Sequence, residues 1–385
     1  MATFAETVET VRAEEASIGN LFGGDARVRD RRRTPEYLRT LAEAAGFLAD
    51  VETGRRPMYH LREAMTTSDF PLLFADVLDR QLLAAYRETP PTWTSYCRRS
   101  SVPDFRSVKR FAIDGAEGVL TAVAEREEYP EVSLAESQDT YSVAKYGRRI
   151  DLSWETMVND DLDAFRSIPE RLARAARRSE EKFATELYVD SSGPHASLYT
   201  AGNANIVTAN PALSIAGLQT AMQVLAAQVD TDGEPIFVEA ITLVVPPALE
   251  ITAQNILNAV TIDATTAGGV SGQTIRAENW MRGRVTLQVG YYIPIVATTN
   301  GTTSWFLFAS PATSRAALEL GFLRGNEEPA LYERAPNARR VGGGDVSESF
   351  EEDSIAWRVR HVFGGARLTG TGGAKATVAS DGTGS

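Results

Sequence analysis

The chain holds one cysteine, Cys97, so no disulfide can form within it. The sequence therefore reads as one made in a reducing cytoplasm, with a bridge between copies left open. Its three histidines, His60, His195 and His361, lie on separate stretches with no HExxH, CxxC or i,i+4 pairing, which argues against a metal centre. The longest apolar runs, such as Ile241 to Val245 and Trp305 to Ala309, are far too short to cross a bilayer. The N-terminus Met1-Ala-Thr-Phe-Ala-Glu6 lacks a charged region followed by an apolar one, so neither membrane nor secretion signal is expected. No GxSxG elbow occurs, and no serine can be given a His and Asp partner. Only four lysines are present, Lys109, Lys145, Lys182 and Lys375; all other basic residues except the histidines are arginines, a bias that reads as a GC-rich genome.

What is present is a globular composition. With 385 residues, 43% of them hydrophobic and 8% aromatic, the chain can bury a full core divided over two or three domains. A net charge of -12 argues against a general nucleic-acid binder, which would cluster Lys and Arg against phosphates. It fits a container, whose lining must let DNA slide, and it fits many cytoplasmic enzymes equally well.

Residues 1 to about 67 are polar and carry the run Arg27, Arg29, Arg31, Arg32 and Arg33, interrupted by Asp30. A helix opened by Thr34-Pro35 follows, with Leu38, Leu41, Ala42, Ala45 and Leu48 on one apolar face. A second helix from Asp69-Phe70-Pro71 bears Phe74, Val77, Leu78 and Leu82 and stops before Pro90-Pro91. Two extended strands are expected at 105–113 and 139–154, the second with Tyr146, Arg148, Ile150, Leu152 and Trp154 on one side and a bulge at Gly147. Between them runs an acidic excursion, Asp114 to Gln138, with Glu117, Glu125, Glu127, Glu128, Glu131 and Glu136 against one basic residue, Arg126. A segment this long makes sense as the two arms of a protruding hairpin.

Ser167-Ile-Pro-Glu170 has the form of a capping box opening a helix of about 21 residues, roughly 30 Å long, which ends at Asp190-Ser-Ser-Gly-Pro194. The neighbouring Asp160, Asp161 and Asp163 resemble a carboxylate cluster, yet their position at a strand-to-helix junction favours capping over catalysis. From 210 to 325, helices alternate with short apolar strands as in an α/β domain: a helix over 214–228, a strand at 241–245, a helix to 257, an exposed loop over 261–274, and strands at 284–289, 292–297 and 304–308. A closing strand spans Ile355 to Phe363, where His361 shares a face with Trp357 and Phe363 and reads as packed. After Leu368 a Gly, Thr and Ser tail without core-forming content is expected. The glycine clusters at 342–344 and 364–365 follow no strand-to-helix phosphate pattern and read as hinges or turns.

In order, Thr66-Thr-Ser-Asp-Phe-Pro71, Val102-Pro-Asp-Phe-Arg106, Glu125-Arg-Glu-Glu-Tyr129, Tyr146-Gly-Arg-Arg-Ile150, Val158-Asn-Asp-Asp-Leu162, Leu243-Val-Val-Pro-Pro-Ala-Leu249 and Phe322-Leu-Arg-Gly-Asn-Glu-Glu-Pro329 resemble the major capsid proteins of tailed bacteriophages. The likeness covers roughly residues 60 to 368, extends to the branch that includes the Mu-like major head subunits, and rests on the set in order. It implies an α+β fold of the Hong Kong 97 capsid type. Its parts would be an N-terminal arm at 1–67, a peripheral domain beginning at 68–104, an E-loop hairpin at 105–153, and more peripheral domain with a spine helix at 154–209. An axial domain at 210–325, closing strands at 326–368 and a tail at 369–385 complete it.

The resemblance implies a subunit without catalysis or cofactor that self-assembles into pentamers and hexamers around double-stranded DNA. Its partners would be itself, a scaffolding protein, a portal and a decoration protein. Relatives that cross-link covalently use a loop lysine, and none lies between Asp114 and Gln138, so a shell without cross-links is expected. Only about 60 residues precede the Thr66 motif, which points to a separate scaffolding protein. Expected contacts between copies set Glu125, Glu127, Glu128 and Glu131 against Arg148, Arg358, Arg360 or the arginines at 27, 29, 31, 32 and 33. Two alternatives stay open: an encapsulin-like nanocompartment shell, and a hydrolase-like enzyme domain at 210–325.

Overall fold

The structure, a computed structural model, describes residues 7–13, 35–56, 70–114, 122–123, 135–153, 162–229, 233–236, 241–265, 274–312, 315–334, 354–370 and 372–384. Its helices include α1 (Pro35–Glu52), α2 (Phe70–Glu88), α3 (Leu162–Tyr188), α4 (Ile215–Ala226), α5 (Glu250–Asn258) and the short α6 (Ile293–Val296). The strands of the first half are β1 (Arg98–Val102), β2 (Val108–Asp114), β3 (Ala135–Tyr141), β4 (Ala144–Ser153), β5 (Val189–Asp190) and β6 (Gly193–Pro194). Those of the second half are β7 (Ile241–Val245), β8 (Thr261–Thr265), β9 (Thr274–Glu278), β10 (Val285–Val289), β11 (Trp305–Ala309), β12 (Leu318–Leu323), β13 (Ala330–Glu333), β14 (Ser354–Arg367) and β15 (Thr377–Ser380). The chain divides into two units, one of residues 1–90, 145–178 and 325–362, the other of 91–144, 179–324 and 363–385.

In the first unit, the spacing of three and four along α1 buries Leu38, Leu41, Ala42, Ala45 and Leu48 against Val77 and Leu78 of α2 and Trp357 of β14. Leu82 and Tyr86, farther along α2, meet Leu172, Ala173 and Ala176 of α3 and Val359 of β14. α2 ends at Glu88, where Pro90 and Pro91 cannot continue it. β13 runs antiparallel to β14, with Tyr332 opposite Arg358 and Ala330 opposite Arg360, and β4 also pairs with β14. A Cβ at Gly147 would lie 2.6 Å from the Val359 carbonyl oxygen, so the glycine expected at a bulge marks a close approach of backbones.

The second unit centres on a four-stranded sheet ordered β10-β7-β11-β15. β7 and β10 are parallel, as a crossover through α5 requires. α4, capped by the Ser214 hydroxyl, which accepts from the Gly217 amide, packs Leu218, Ala221, Met222 and Leu225 against Leu243, Trp305, Leu307 and Val378. A second ladder joins β1 in parallel to β12, and β12 antiparallel to the end of β14. β2 and β3 form an antiparallel ladder with Val108 opposite Tyr141 and Asp114 opposite Ala135, the base of the expected hairpin. Its second arm is two strands, because the ladder to β2 ends at Tyr141 and β4 begins after Val143.

Four expectations are corrected. α3 begins at Leu162, so Ser167 lies inside it and the Ser167-to-Glu170 capping box does not open the helix. Pro169 withdraws one amide from its interior, a loss the helix tolerates because the residues on either side continue its packing. The strand expected at 292–297 is α6: Pro294 cannot donate to a ladder, and the Tyr292 and Ile293 carbonyls instead accept from Val296 and Ala297. The loop expected at 261–274 has at its ends the antiparallel pair β8 and β9. Most consequential, the tail expected to lack core content supplies β15, whose four residues are all buried beside β11. Small and β-branched side chains are what that crowded sheet edge admits.

Candidate assembly surfaces

The strongest polar constellation of the second unit surrounds Glu319, a carboxylate in a strand whose other residues are apolar or glycine. Its side chain is 1% exposed. Arg98, its register partner on β1, donates from Nε at 3.0 Å and Nη2 at 2.5 Å to Oε2. Oε1 accepts from Arg110 Nε at 2.6 Å, the Tyr141 hydroxyl at 2.6 Å and the Ser100 hydroxyl at 2.8 Å. Both hydroxyls, their protons spent on the carboxylate, accept in turn from Arg110 Nη2. Burial alone would raise the Glu319 pKa, yet the bonds from Tyr141, Arg98, Arg110 and Ser100 outweigh it and hold the carboxyl below its ordinary value. For Tyr141, burial first and then its bond to Glu319 push the phenol up.

Arg110 stands on β2 and Tyr141 on β3, so this one carboxylate fastens both arms of the hairpin to β12. A second tie lies alongside, where the Asp139 carboxylate accepts from the Gly370 amide at 2.9 Å. Gly321 makes the first tie possible: a Cβ there would stand 2.5 Å from the Tyr141 hydroxyl oxygen and 2.9 Å from Val102 Cγ2. Gly321→Ala is expected to displace Tyr141 from Glu319 and to destabilise the unit by about 1–3 kcal/mol, the range for overpacking. The urea midpoint measures it, and a midpoint equal to wild type would show that the tie carries no strain-sensitive load.

Elsewhere in this unit the Glu181 carboxylate accepts from the Thr92 amide at 2.6 Å and hydroxyl at 2.5 Å, while Glu180 accepts from Trp93 Nε1 at 3.2 Å. Burial pushes the Glu181 pKa up against those bonds. Cys97 is buried, and desolvation raises its thiol far above the reactive range. His195 is held down first by burial and then by Arg367, whose Nη2 lies 2.7 Å from Nε2. Among the described residues no group of His, Cys, Asp and Glu is arranged to hold a metal ion, and no helix is long and apolar enough to cross a membrane.

A sequence profile of the family described as phage capsid protein matches residues 136–376. The chain belongs to that family. Similar solved structures include that of Microbacterium phage Oxtober96, at 10% identity and TM-score 0.44 over 72% of this chain and 85% of that one. The capsid asymmetric unit of cyanophage Pam1 follows at 12% and 0.46, over 74% and 88%. The holo-SrpI encapsulin complex from Synechococcus elongatus PCC 7942 matches at 14% and 0.45, over 77% and 89%. No curated protein matches the sequence. The mixed helix-and-sheet fold, together with the family, bears out the expected α+β capsid class.

This capsid protein is thus a structural component of a phage shell. Of the residues expected at contacts between copies, Glu125, Glu127, Glu128, Glu131 and Arg27, Arg29, Arg31, Arg32 and Arg33 lie outside the described residues, as do Asp160 and Asp161. Arg148 is exposed on β4. Arg358 and Arg360 come together in the same unit: their guanidinium carbons stand 5.4 Å and 4.5 Å from the centroid of the Tyr332 ring. Arg360 also donates to the Tyr332 hydroxyl and, at 3.2 Å, to Asn326 Oδ1. Sequence reasoning missed Glu319 and its partners. The signal available was a lone carboxylate within Ala316-Ala-Leu-Glu-Leu-Gly-Phe-Leu323, which a buried strand can hold only with cations or donors supplied from elsewhere.

Proposed function

We propose that the chain is the major head subunit of a tailed phage, of the Hong Kong 97 type and Mu-like branch, forming pentamers and hexamers around double-stranded DNA without covalent cross-links. The observation that carries this reading is the family match over 136–376. The fastened base of the β2–β3 hairpin supports it, because a loop that reaches a neighbour must be rigid where it leaves its own subunit. On this reading the arm is 1–67, the spine helix is α3 with its start moved to Leu162, the axial domain is 210–325 and the closing strands lie in 326–368, with β15 as an added core strand. Assembly in the host cytoplasm on a separate scaffolding protein, with portal and decoration proteins as further partners, completes the reading.

The acidic segment Glu125, Glu127, Glu128 and Glu131 docks on arginines of a neighbouring copy, with Arg148 and the Arg358 and Arg360 pair the described candidates. Exposed pairs contribute only ~0–1 kcal/mol each, so the effect comes from repetition around the shell. Negative-stain electron microscopy tests the whole: closed shells or capsomer rings from the purified chain are expected, and a persistent monomer overturns it. Particles that copurify with an enzyme cargo and no DNA would mean a nanocompartment instead. Reversing two charges with Glu127→Arg and Glu128→Arg should abolish closed particles at moderate salt, and normal particles from that variant would remove the ionic docking.

A further inference from the structure

The outer face of α3 in the first unit carries a charge pattern that the shell contacts above do not use. Arg171, Arg174 and Arg178 are exposed, while Leu172, Ala173 and Ala176 between them are buried against Leu82, Tyr86 and Val359. At 3.6 residues per turn the three arginines fall within roughly 60° of arc, spread over about 10 Å of helix axis. Arg177, one residue away, is turned inward, with its guanidinium 3.7 Å from the Tyr86 ring centroid and Nη2 donating to the Tyr86 carbonyl. The acid on the stripe is Glu170, 3.7 Å from Arg174; Arg171 and Arg178 have no carboxylate partner among the described residues. In a chain of net charge -12, such a stripe stands against the field of the rest of the molecule.

We infer that this face of α3 contacts the phosphate backbone of the enclosed nucleic acid; the inference rests on the capsid reading above. Charge complementarity selects the partner. A duplex presents one phosphate charge per about 1.7 Å of axis, so a 10 Å stripe faces about six, and a guanidinium fork matches phosphate geometry without reading sequence. A rigid helix holds the three forks in register, so little side-chain order is lost on contact beyond the arginines themselves. Three contacts per subunit are weak alone. Repeated over a shell, they hold the outer layer of DNA while the acidic remainder keeps it from adhering elsewhere.

The test uses the full-length chain and a fluorescein-labelled random-sequence duplex, followed by anisotropy across a salt series, with the same samples viewed by electron microscopy. Three phosphate contacts predict a slope of log affinity against log salt of about -3. The triple variant Arg171→Gln, Arg174→Gln, Arg178→Gln should still form particles, lose at least about tenfold in affinity at low salt, and flatten the slope. The triple Lys variant should keep the slope, which separates charge from folding. No binding by the wild-type chain, or an unchanged slope in the Gln variant, overturns the inference. So does a Gln variant that binds DNA normally yet no longer forms particles, since the face would then meet another copy. Absence of particles from the wild type, with DNA binding intact, would instead count against the capsid reading.

Discussion

Glu319→Gln is expected to cost the second unit about 3 kcal/mol, because it removes the charge and keeps the shape. The two arginines that meet Glu319 are each about one-third exposed and can turn back toward water, which is why the figure sits at the low end for a broken buried pair. The hydroxyl of the buried Tyr141 has no such exit and loses its best acceptor. The same substitution should change the acid response. The folded carboxyl ionises below its ordinary value, so below neutrality the unfolded chain binds more protons and stability rises with pH. The Glu319 contribution is therefore complete above the ordinary glutamate range near 4.5 and is lost as pH falls through the lower folded value. Urea unfolding from pH 7 down to 3, wild type against Gln variant, measures it as a gap that narrows with acid. A gap that stays constant would mean that the five donors do not stabilise the ionised form.

For a capsid protein the location of this loss matters more than its size. Glu319 is where the hairpin base joins β12, so a subunit that has lost the tie can remain folded while its loop leaves at the wrong angle. Assembly yield should fall further than the free-energy change alone implies, since each subunit in a shell repeats the same error.

Periodicity made much of the architecture legible. The apolar face of α1, the prolines that stop α2, and the continuous apolar runs of β7 and β11 were all readable because burial on one face or both writes a local pattern. The start of α3 was not, because Ser167-Ile-Pro-Glu170 satisfies the local rules for a helix start inside a helix already under way. α6 hid within an apolar run that propensity assigns to a strand, and Pro294 decided otherwise. Glu319 was visible as an oddity, but its partners Arg98, Ser100, Arg110 and Tyr141 lie 178 to 221 residues away in sequence. No periodicity spans such a distance. β15 was the deepest miss: Thr377-Val-Ala-Ser380 among glycines resembles a linker, and only its long-range pairing makes it core.

That miss leads to the largest effect expected in the molecule, from Val378→Asp. Val378 is fully buried in the cluster that joins α4 and α5 to the sheet, opposite Leu307 of β11. On its outer edge β15 is closed by residues 205 and 207, where the Val207 amide donates to the Ala379 carbonyl and the Ala379 amide donates to Asn205. Thr377 Oγ1 donates to the Leu307 carbonyl and Ser380 Oγ to that of Pro211, so even the polar atoms of the strand are committed inward. A carboxylate at 378 has neither partner nor solvent, and the expected loss is about 4 kcal/mol or more. Val378→Ala, which only opens a small cavity, should cost about 2 kcal/mol. The measurement is soluble yield and thermal midpoint of the full-length chain across the series. If Asp is tolerated as well as Ala, the segment does not occupy the sheet. If it does, losing it bares β11, whose five residues are all buried, as an apolar open edge. Such an edge pairs with other chains before any ordered shell can form, so the Asp variant should aggregate where the Ala variant still assembles.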